Sequence, residues 1–268
     1  MAGVPGDVAF ATKPKLGRAL LERAVAAGVP GAWVAADSVY GGDYALRLWL
    51  ERQPLGYVLA VTSKQRAPSG FDSVKMRADA CFGAGDWQRL SAGDGAKGPR
   101  LYDWAYQTYP SLRPGWNRGL LVRRSIAEPD KRTYYLTFAP DGTPLSTLVR
   151  VAGTRWTIES CFEAAKGEVG LDHYEVRTWT AWHRHITLAM LALAFLTVVR
   201  AATIGGRGHH RPHGRSPATH RPGDPSPARP SRRPATPKPR RRYRVVTLAT
   251  TPSAAGAPQP LETTHSNR

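Results

Sequence analysis

The sequence predicts a mixed α/β fold that is followed by a tail without a core. A strand–helix–strand pattern lies before position 66, and short Trp-, Tyr-, Leu- and Val-rich runs between glycines and prolines come next. Helical periodicity then returns before the composition turns to proline and arginine. We therefore expect a fold of the α/β class, with α and β structure mixed as in α+β proteins. The chain divides into four predicted segments: 8–65, 66–140, 141–204 and 205–268.

The first predicted element is a helix over residues 14–28. Pro14 suits the first turn of a helix and Gly28 suits its end. Four apolar residues are spaced for one face of this helix: Leu16, Leu20, Leu21 and Val25.

Two strands and a second helix complete the first segment. The apolar run 32–37 lies between Gly31 and the carboxylate of Asp37, which predicts a buried strand. Residues 43–52 fit a helix and 56–62 fit another strand. Strand, helix and strand in this order predict a parallel βαβ unit.

The second segment predicts antiparallel β structure. Its strand candidates are 87–90, 100–107, 119–123 and 132–138. Trp87, Trp104 and Trp116 lie in this segment. Two interpretations stay open for them: they stack on a flipped base, or they form the small core of the segment.

The third segment predicts helices at 144–152, 154–168 and 178–203. The most apolar run, 186–199, is shorter than the roughly 20 apolar residues that a membrane-spanning helix needs. We expect it to be a buried core helix, with no membrane association.

The tail carries most of the chain's charge. The formal net charge is +18, and residues 201–268 hold 13 Lys/Arg against two acids. The high positive charge of the chain predicts a polyanionic partner. The proline-rich composition of the tail predicts that it is disordered. Only two cysteines and no secretory signal are present, so the expected location is a reducing cytoplasm.

One helical stretch has the residue types of a phosphodiester site. Arg155, Glu159 and Lys166 stand at i, i+4 and i+11, which places them on one helical face. A carboxylate there suits a metal ion, and the cations suit the flanking phosphates. The alternative is a solvated face with ordinary surface ion pairs.

Together with Asp37-Ser-Val-Tyr40-Gly41, this stretch resembles the DDE transposases of bacterial insertion sequences. The similar branch has an RNase H-like core and a β-rich insertion before the catalytic Glu. Its motif reads Tyr, two residues, Arg, three residues, Glu, six residues, Lys. Arg155, Glu159 and Lys166 fit, whereas Ala152 replaces the Tyr. The resemblance spans roughly residues 8–200.

The resemblance implies DNA cleavage and strand transfer with two Mg²⁺ ions. Asp37 and Glu159 would be catalytic metal ligands, with Glu163 as the substitute if the register is shifted. The predicted DNA contacts are Arg155, Lys166, Tyr40 and Lys97. Lys97 lies in a glycine-rich tract of residues 91–99. The implied partners are transposon ends and target DNA, and a second copy or an intact transposase. The implied location is the bacterial cytoplasm, at the nucleoid.

The family's first catalytic Asp has no counterpart in the predicted elements. In the family, three strands and a helix precede the strand that ends at Asp37, and these elements need roughly 35–45 residues. Asp7 lies too close to Asp37 in the sequence to be that first catalytic Asp. We therefore expect a partial RNase H-like core in a truncated, catalytically impaired transposase with an out-of-frame tail. The alternatives are a non-catalytic DNA-binding or transposase-binding fragment and a relic open reading frame.

Overall fold

A computed structural model describes residues 2–68, 70, 72–95, 98–206 and 244–248. The helices are α1 (Lys13–Ala26), α2 (Ser38–Gly41), α3 (Tyr44–Leu50), α4 (Val74–Cys81), α5 (Leu145–Val169) and α6 (Trp179–Gly206). The strands are β1 (Trp33–Ala36), β2 (Gly56–Val61), β3 (Gln88–Gly95), β4 (Gly98–Pro110), β5 (Trp116–Arg124), β6 (Arg132–Pro140) and β7 (Val245–Leu248).

The predicted parallel βαβ unit is confirmed. β1 and β2 pair in parallel with Val34 opposite Tyr57, and α2 and α3 connect them. All four β1 residues are buried, as expected for a parallel strand that is covered on both faces. The prediction missed α2 because a single helical turn is too short to show helical periodicity.

The predicted antiparallel strands are also confirmed. β3, β4, β5 and β6 pair in antiparallel fashion, and β6 pairs with β2. They thus extend the sheet that contains β1 and β2, in the order β3-β4-β5-β6-β2-β1-β7. The prediction of an RNase H-like core and the four segment bounds stay predictions.

Each face of this mixed sheet has its own apolar core. One core contains Leu21 of α1, Leu46 of α3 and Val74 of α4 against the sheet. The other contains Leu148 and Val151 of α5. The first four helices and the start of α5 therefore cover opposite faces of the sheet.

The predicted apolar face of α1 is only partly correct. Leu21 is buried, but Leu16 and Leu20 are exposed. Gly17, rather than a large residue, faces the interior, because a Cβ there would lie 2.8 Å from the ring of Tyr40. The buried face of α1 thus contains Gly17 and Leu21, and it excludes Leu16 and Leu20.

The prediction of two helices at 144–152 and 154–168 is wrong, since α5 is one continuous helix. Gly153 suggested the break. In the structure this glycine permits close packing, because a Cβ there would lie 1.7 Å from the carbonyl oxygen of Ala92 on β3. Glycine is required here by contact with the sheet, and the helix continues through it.

The third predicted helix exists as α6, but its core assignment is wrong. Trp179–Thr203 is long and apolar enough, by length and composition alone, to cross a membrane, and 11% of its most apolar window is buried. The sequence interpretation ended the apolar run at Arg200, and the helix continues past that residue. Four exposed side chains mark its apolar surface: Leu188, Leu191, Phe195 and Val198.

Most of the predicted disordered tail lies outside the described residues. Its described parts are 205–206, which end α6, and 244–248, which contain β7 where disorder is predicted. β7 pairs in parallel with β1. Two compact units divide the described chain: 9–159 with 244–248, and 2–8 with 160–206. The sheet and both of its cores belong to the first unit.

Candidate active site and nucleic-acid interface

Asp37 lies at the carboxyl end of a buried parallel strand, where the sequence predicts it. It follows β1 and is the N-cap of α2, with its Oδ1 accepting a hydrogen bond of 2.9 Å from the backbone N–H of Val39. The half-buried carboxylate therefore fulfils the capping role. Its metal-ligand role stays a prediction.

Tyr40 lies one turn after Asp37, with its ring in the core. It is 7% exposed and fits against Gly17. Burial raises the pKa of the Tyr40 hydroxyl, and the charge of Asp37 raises it further. At pH 7 the side chain is a neutral phenol with little surface, and its DNA contact stays a prediction.

The structure brings Arg155 and Glu159 together. Their side chains form an ion pair of 2.8 Å within α5, and each is about a third or more exposed. An exposed i,i+4 pair contributes only about 0.3–0.5 kcal/mol to stability. Because this contribution to stability is small, Arg155 can bind a phosphate, or Glu159 a cation, with little loss of stability.

The remaining predicted residues belong to the smaller unit or lie outside the described chain. Lys166 lies in the smaller unit, where its Nζ is 3.7 Å from the carboxylate of Asp172. Glu163 is exposed on α5. Lys97 lies outside the described residues.

No group of three or more His, Cys, Asp and Glu side chains that suits a metal ion occurs in the described ranges. Asp37 caps a helix and Glu159 pairs with an arginine. A two-metal site needs more carboxylate oxygens than these two provide. The described residues therefore do not complete the predicted Mg²⁺ site.

A cavity of about 220 Å³ lies beside Arg155, between α5 and the sheet. We call it the arginine cleft, and it is lined by Arg100, Tyr102, Arg123, Arg155 and Trp156 among others. The lining residues that the structure describes include three arginines and no carboxylate.

Backbone carbonyls and aromatic rings hold Arg100 and Arg123, two of the cleft's arginines. Arg100 donates to the carbonyl oxygens of Ala92 and Gly153 at 3.0 and 3.1 Å, and its guanidinium lies 5.8 Å from the ring centre of Trp156. Arg123 lies 4.5 Å from the ring centre of Tyr102. Neutral partners fix the geometry of these side chains and leave their charge uncompensated.

The field of the cleft acts on a neighbouring tyrosine. Burial raises the pKa of Tyr135, while Arg123, Arg155 and Arg100 oppose that rise. Half-exposed Trp156 adds an aromatic face to this positive region. Guanidinium donors and an accessible aromatic face suit phosphate binding and base stacking.

Other arginines of the same sheet have a structural role. Asp103 accepts hydrogen bonds from Arg89 at 3.0 Å and from Arg124 at 3.2 Å. These contacts lower the pKa of Asp103, and the one to Arg89 contributes most. Because Arg89 and Arg124 share the carboxylate of Asp103, they are weaker candidates for phosphate contact than Arg100 and Arg123.

The sequence prediction missed Arg100, Arg123 and Trp156. One signal was present, since Arg100, Tyr102 and Trp104 alternate along a predicted strand and so share one face. The neighbouring strand places Arg123 directly opposite Trp104. That pairing depends on register, which the local pattern does not give.

Of the three tryptophans predicted to stack on DNA or form a core, Trp104 is buried, and Trp87 and Trp116 are half-buried against the core that contains Leu21. Trp104 is 1% exposed, and Trp116 stacks on Phe138 with ring centres 4.8 Å apart. Trp87 packs edge-on against Phe82. Of the two open interpretations, the core interpretation describes their packing.

The model of the DDE superfamily endonuclease family matches residues 1–80. The match contains Asp37 and Tyr40 and ends before α5. No curated protein shows significant similarity to the chain. The family match supports a DDE-type transposase or nuclease, and for such enzymes the substrate is DNA.

Proposed function

We propose that the protein is a DDE transposase of a bacterial insertion sequence, which cuts DNA at element ends and joins the 3′-OH to target DNA. The observation that carries the proposal is the family match over residues 1–80. Within the described part of that range, Asp37 is the carboxylate that directly follows a buried β-strand. The arginine cleft supports the proposal independently, since it offers positive charge beside Glu159.

Each predicted site residue has a role in this proposal. Asp37 and Glu159 supply carboxylates for Mg²⁺ in the complete active site. Arg155, with Arg100 and Arg123, holds phosphates of the transposon end. Lys166, Tyr40 and Lys97 are further DNA contacts, and the protein acts in the cytoplasm at the nucleoid.

We also propose that cleavage by this chain alone is weak. In this proposal Asp37 and Glu159 are two of the three carboxylates that the DDE mechanism uses. A weak metal site reduces the rate of the chemical step more than it reduces DNA binding, because the arginines remain in place. Low nicking activity with normal DNA affinity is the expected phenotype.

Nicking of a supercoiled plasmid tests the proposal. The plasmid carries the coding sequence with its flanking DNA, and reactions contain either Mg²⁺ or EDTA. Asp37→Asn keeps a capping oxygen and removes the charge, and Asp43→Asn is the matched control because Asp43 caps α3 in the same way. We expect Mg²⁺-dependent nicking that Asp37→Asn abolishes and Asp43→Asn preserves. Equal nicking by all three proteins contradicts the proposal.

The second candidate is a non-catalytic protein that binds DNA or an intact transposase. The exposed apolar side chains of α6 favour it, since such a surface suits a protein partner. The basic tail supports sequence-independent DNA binding. Replacing the Lys and Arg residues of 207–242 by Gln, which keeps β7 intact, then reduces the salt dependence of DNA binding. Self-association measured by sedimentation falls if Leu191 and Phe195 are changed to Gln.

A further inference from the structure

A second cationic cavity lies on the opposite face of the sheet from the arginine cleft. Its volume is about 460 Å³, within the range of small-molecule sites. We call it the Arg47 cavity, and its lining includes Tyr44, Arg47, Glu51, Tyr57, Arg66 and Arg118.

One carboxylate in this cavity is already neutralised. Arg118 forms two hydrogen bonds to Glu51, at 2.9 and 2.6 Å, and the hydroxyl of Tyr57 donates to the same carboxylate at 3.0 Å. This bidentate pair is half-buried and fixed on both sides. The Glu51 charge is therefore occupied by Arg118, and the guanidinium groups of Arg47 and Arg66 also line the cavity.

Arg47 is the buried cation of the cavity. It is 8% exposed, and its Nη1 donates to the carbonyl oxygen of Gly41. No carboxylate lies within ion-pair distance of Arg47 in the described part of the chain. Burial lowers the pKa of Arg47, and the nearby charges of Glu51 and Asp43 oppose that change. A buried guanidinium that faces a cavity favours an anion there.

The cavity also has an aromatic side and an exposed cationic side. Tyr44 is 65% exposed, and the Arg47 guanidinium lies 5.7 Å from its ring centre. Arg66 is exposed on the loop after β2, and Gln65 lines the cavity next to it. An anionic group near Arg47 and Arg66 would therefore leave room for a planar ring beside Tyr44.

We propose that the Arg47 cavity binds the phosphate of a nucleotide, with the base at Tyr44. Two guanidinium groups suit the bidentate geometry of a phosphate, and the volume accommodates the nucleoside. The nucleotide is either free or the phosphorylated end of a DNA strand. The proposal is independent of DNA cleavage, because the cavity contains neither Asp37 nor Glu159.

Calorimetric titration of the full chain tests this site. The ligands are deoxyadenosine monophosphate, deoxyadenosine, inorganic phosphate, and an oligonucleotide with and without a 5′-phosphate. We expect the monophosphate to bind and deoxyadenosine not to bind. Binding of the monophosphate but not the phosphorylated oligonucleotide assigns a free nucleotide. Binding of the oligonucleotide that depends on its 5′-phosphate assigns a DNA end.

Three variants locate the binding. Arg66→Gln removes an exposed cation, and Arg47→Lys keeps the buried charge but loses the planar fork. Each should weaken monophosphate binding by about tenfold, the expected loss for a charged hydrogen bond. Arg52→Gln, also exposed but outside the cavity, is the matched control and leaves binding unchanged.

Equal affinity for deoxyadenosine and its monophosphate overturns the proposal. So does equal affinity of the Arg66→Gln and Arg52→Gln proteins, or the absence of binding to every phosphate ligand. Plasmid nicking by the Arg66→Gln protein is unchanged if the two sites are separate. The binding measurements and the nicking measurements therefore distinguish an error in the nucleotide-site proposal from an error in the cleavage proposal.

Discussion

Replacing Gly153 by Ala should strongly destabilise the larger unit. The added Cβ would lie 1.7 Å from the carbonyl oxygen of Ala92 and 2.7 Å from its carbonyl carbon, whereas ordinary contact begins at 3.4 Å. Both partners are backbone, so no rotamer change relieves the overlap. α5 and β3 must therefore move apart.

The cost of that movement follows from the contacts that it disturbs. Overpacking of a core typically costs about 1–3 kcal/mol. Arg100 bridges Ala92 and Gly153 through charged hydrogen bonds, which are worth roughly 1.5–3 kcal/mol when they are lost. We expect a loss of about 3 kcal/mol or more, and a fall in Tm of about 6–12 °C for a chain of this size.

Thermal unfolding monitored by circular dichroism measures this effect. Gly167→Ala is the matched control, because Gly167 lies in the same helix with open space around it. Alanine there should stabilise the protein by about 0.5–1 kcal/mol through helix propensity. A Gly153→Ala protein with a Tm equal to or above that of the wild type refutes the packing of α5 on β3.

Three further predictions concern caps, the sheet edge and pH. Asp37→Ala should cost about 1 kcal/mol and Asp37→Asn almost nothing, by chemical denaturation, because only the alanine removes the cap oxygen. Val246→Pro should accelerate amide exchange in Trp33–Ala36, since β7 pairs along that whole strand; unchanged exchange contradicts the pairing. The pKa of Asp103 is lowered in the folded state by Arg89 and then Arg124. Its contribution to stability is therefore present above the unfolded pKa of about 3.9 and lost as pH falls through the folded pKa. An Asp103→Asn protein should show a shallower acid transition, and an identical pH dependence argues against the ion pairs.

Local patterns were sufficient for most of the helices and strands. The apolar run before Asp37 and the helix after it predict β1 and α3 because burial and periodicity are encoded in adjacent residues. Their parallel pairing follows from the connection between them. The same reasoning fails at Gly153, because a glycine needed for contact with β3 looks the same in sequence as a helix break.

Non-local pairing explains what the sequence did not reveal. β7 joins β1 although the two strands stand near opposite ends of the described chain, and no local feature of Val245–Leu248 specifies that partner. The arginine cleft depends on the register that sets Arg123 opposite Trp104. Asp37 and Glu159 were identifiable only from their motifs, and their chemistry stays a prediction.

The most direct test of the central claim is Mg²⁺-dependent plasmid nicking by Glu159→Gln beside Glu163→Gln. Both substitutions remove one carboxylate from the same helix, so they should have similar effects on folding. We expect the Glu159→Gln protein to lose nicking while its DNA affinity remains, and the Glu163→Gln protein to behave like the wild type. Nicking that survives Glu159→Gln would contradict a catalytic role for Glu159.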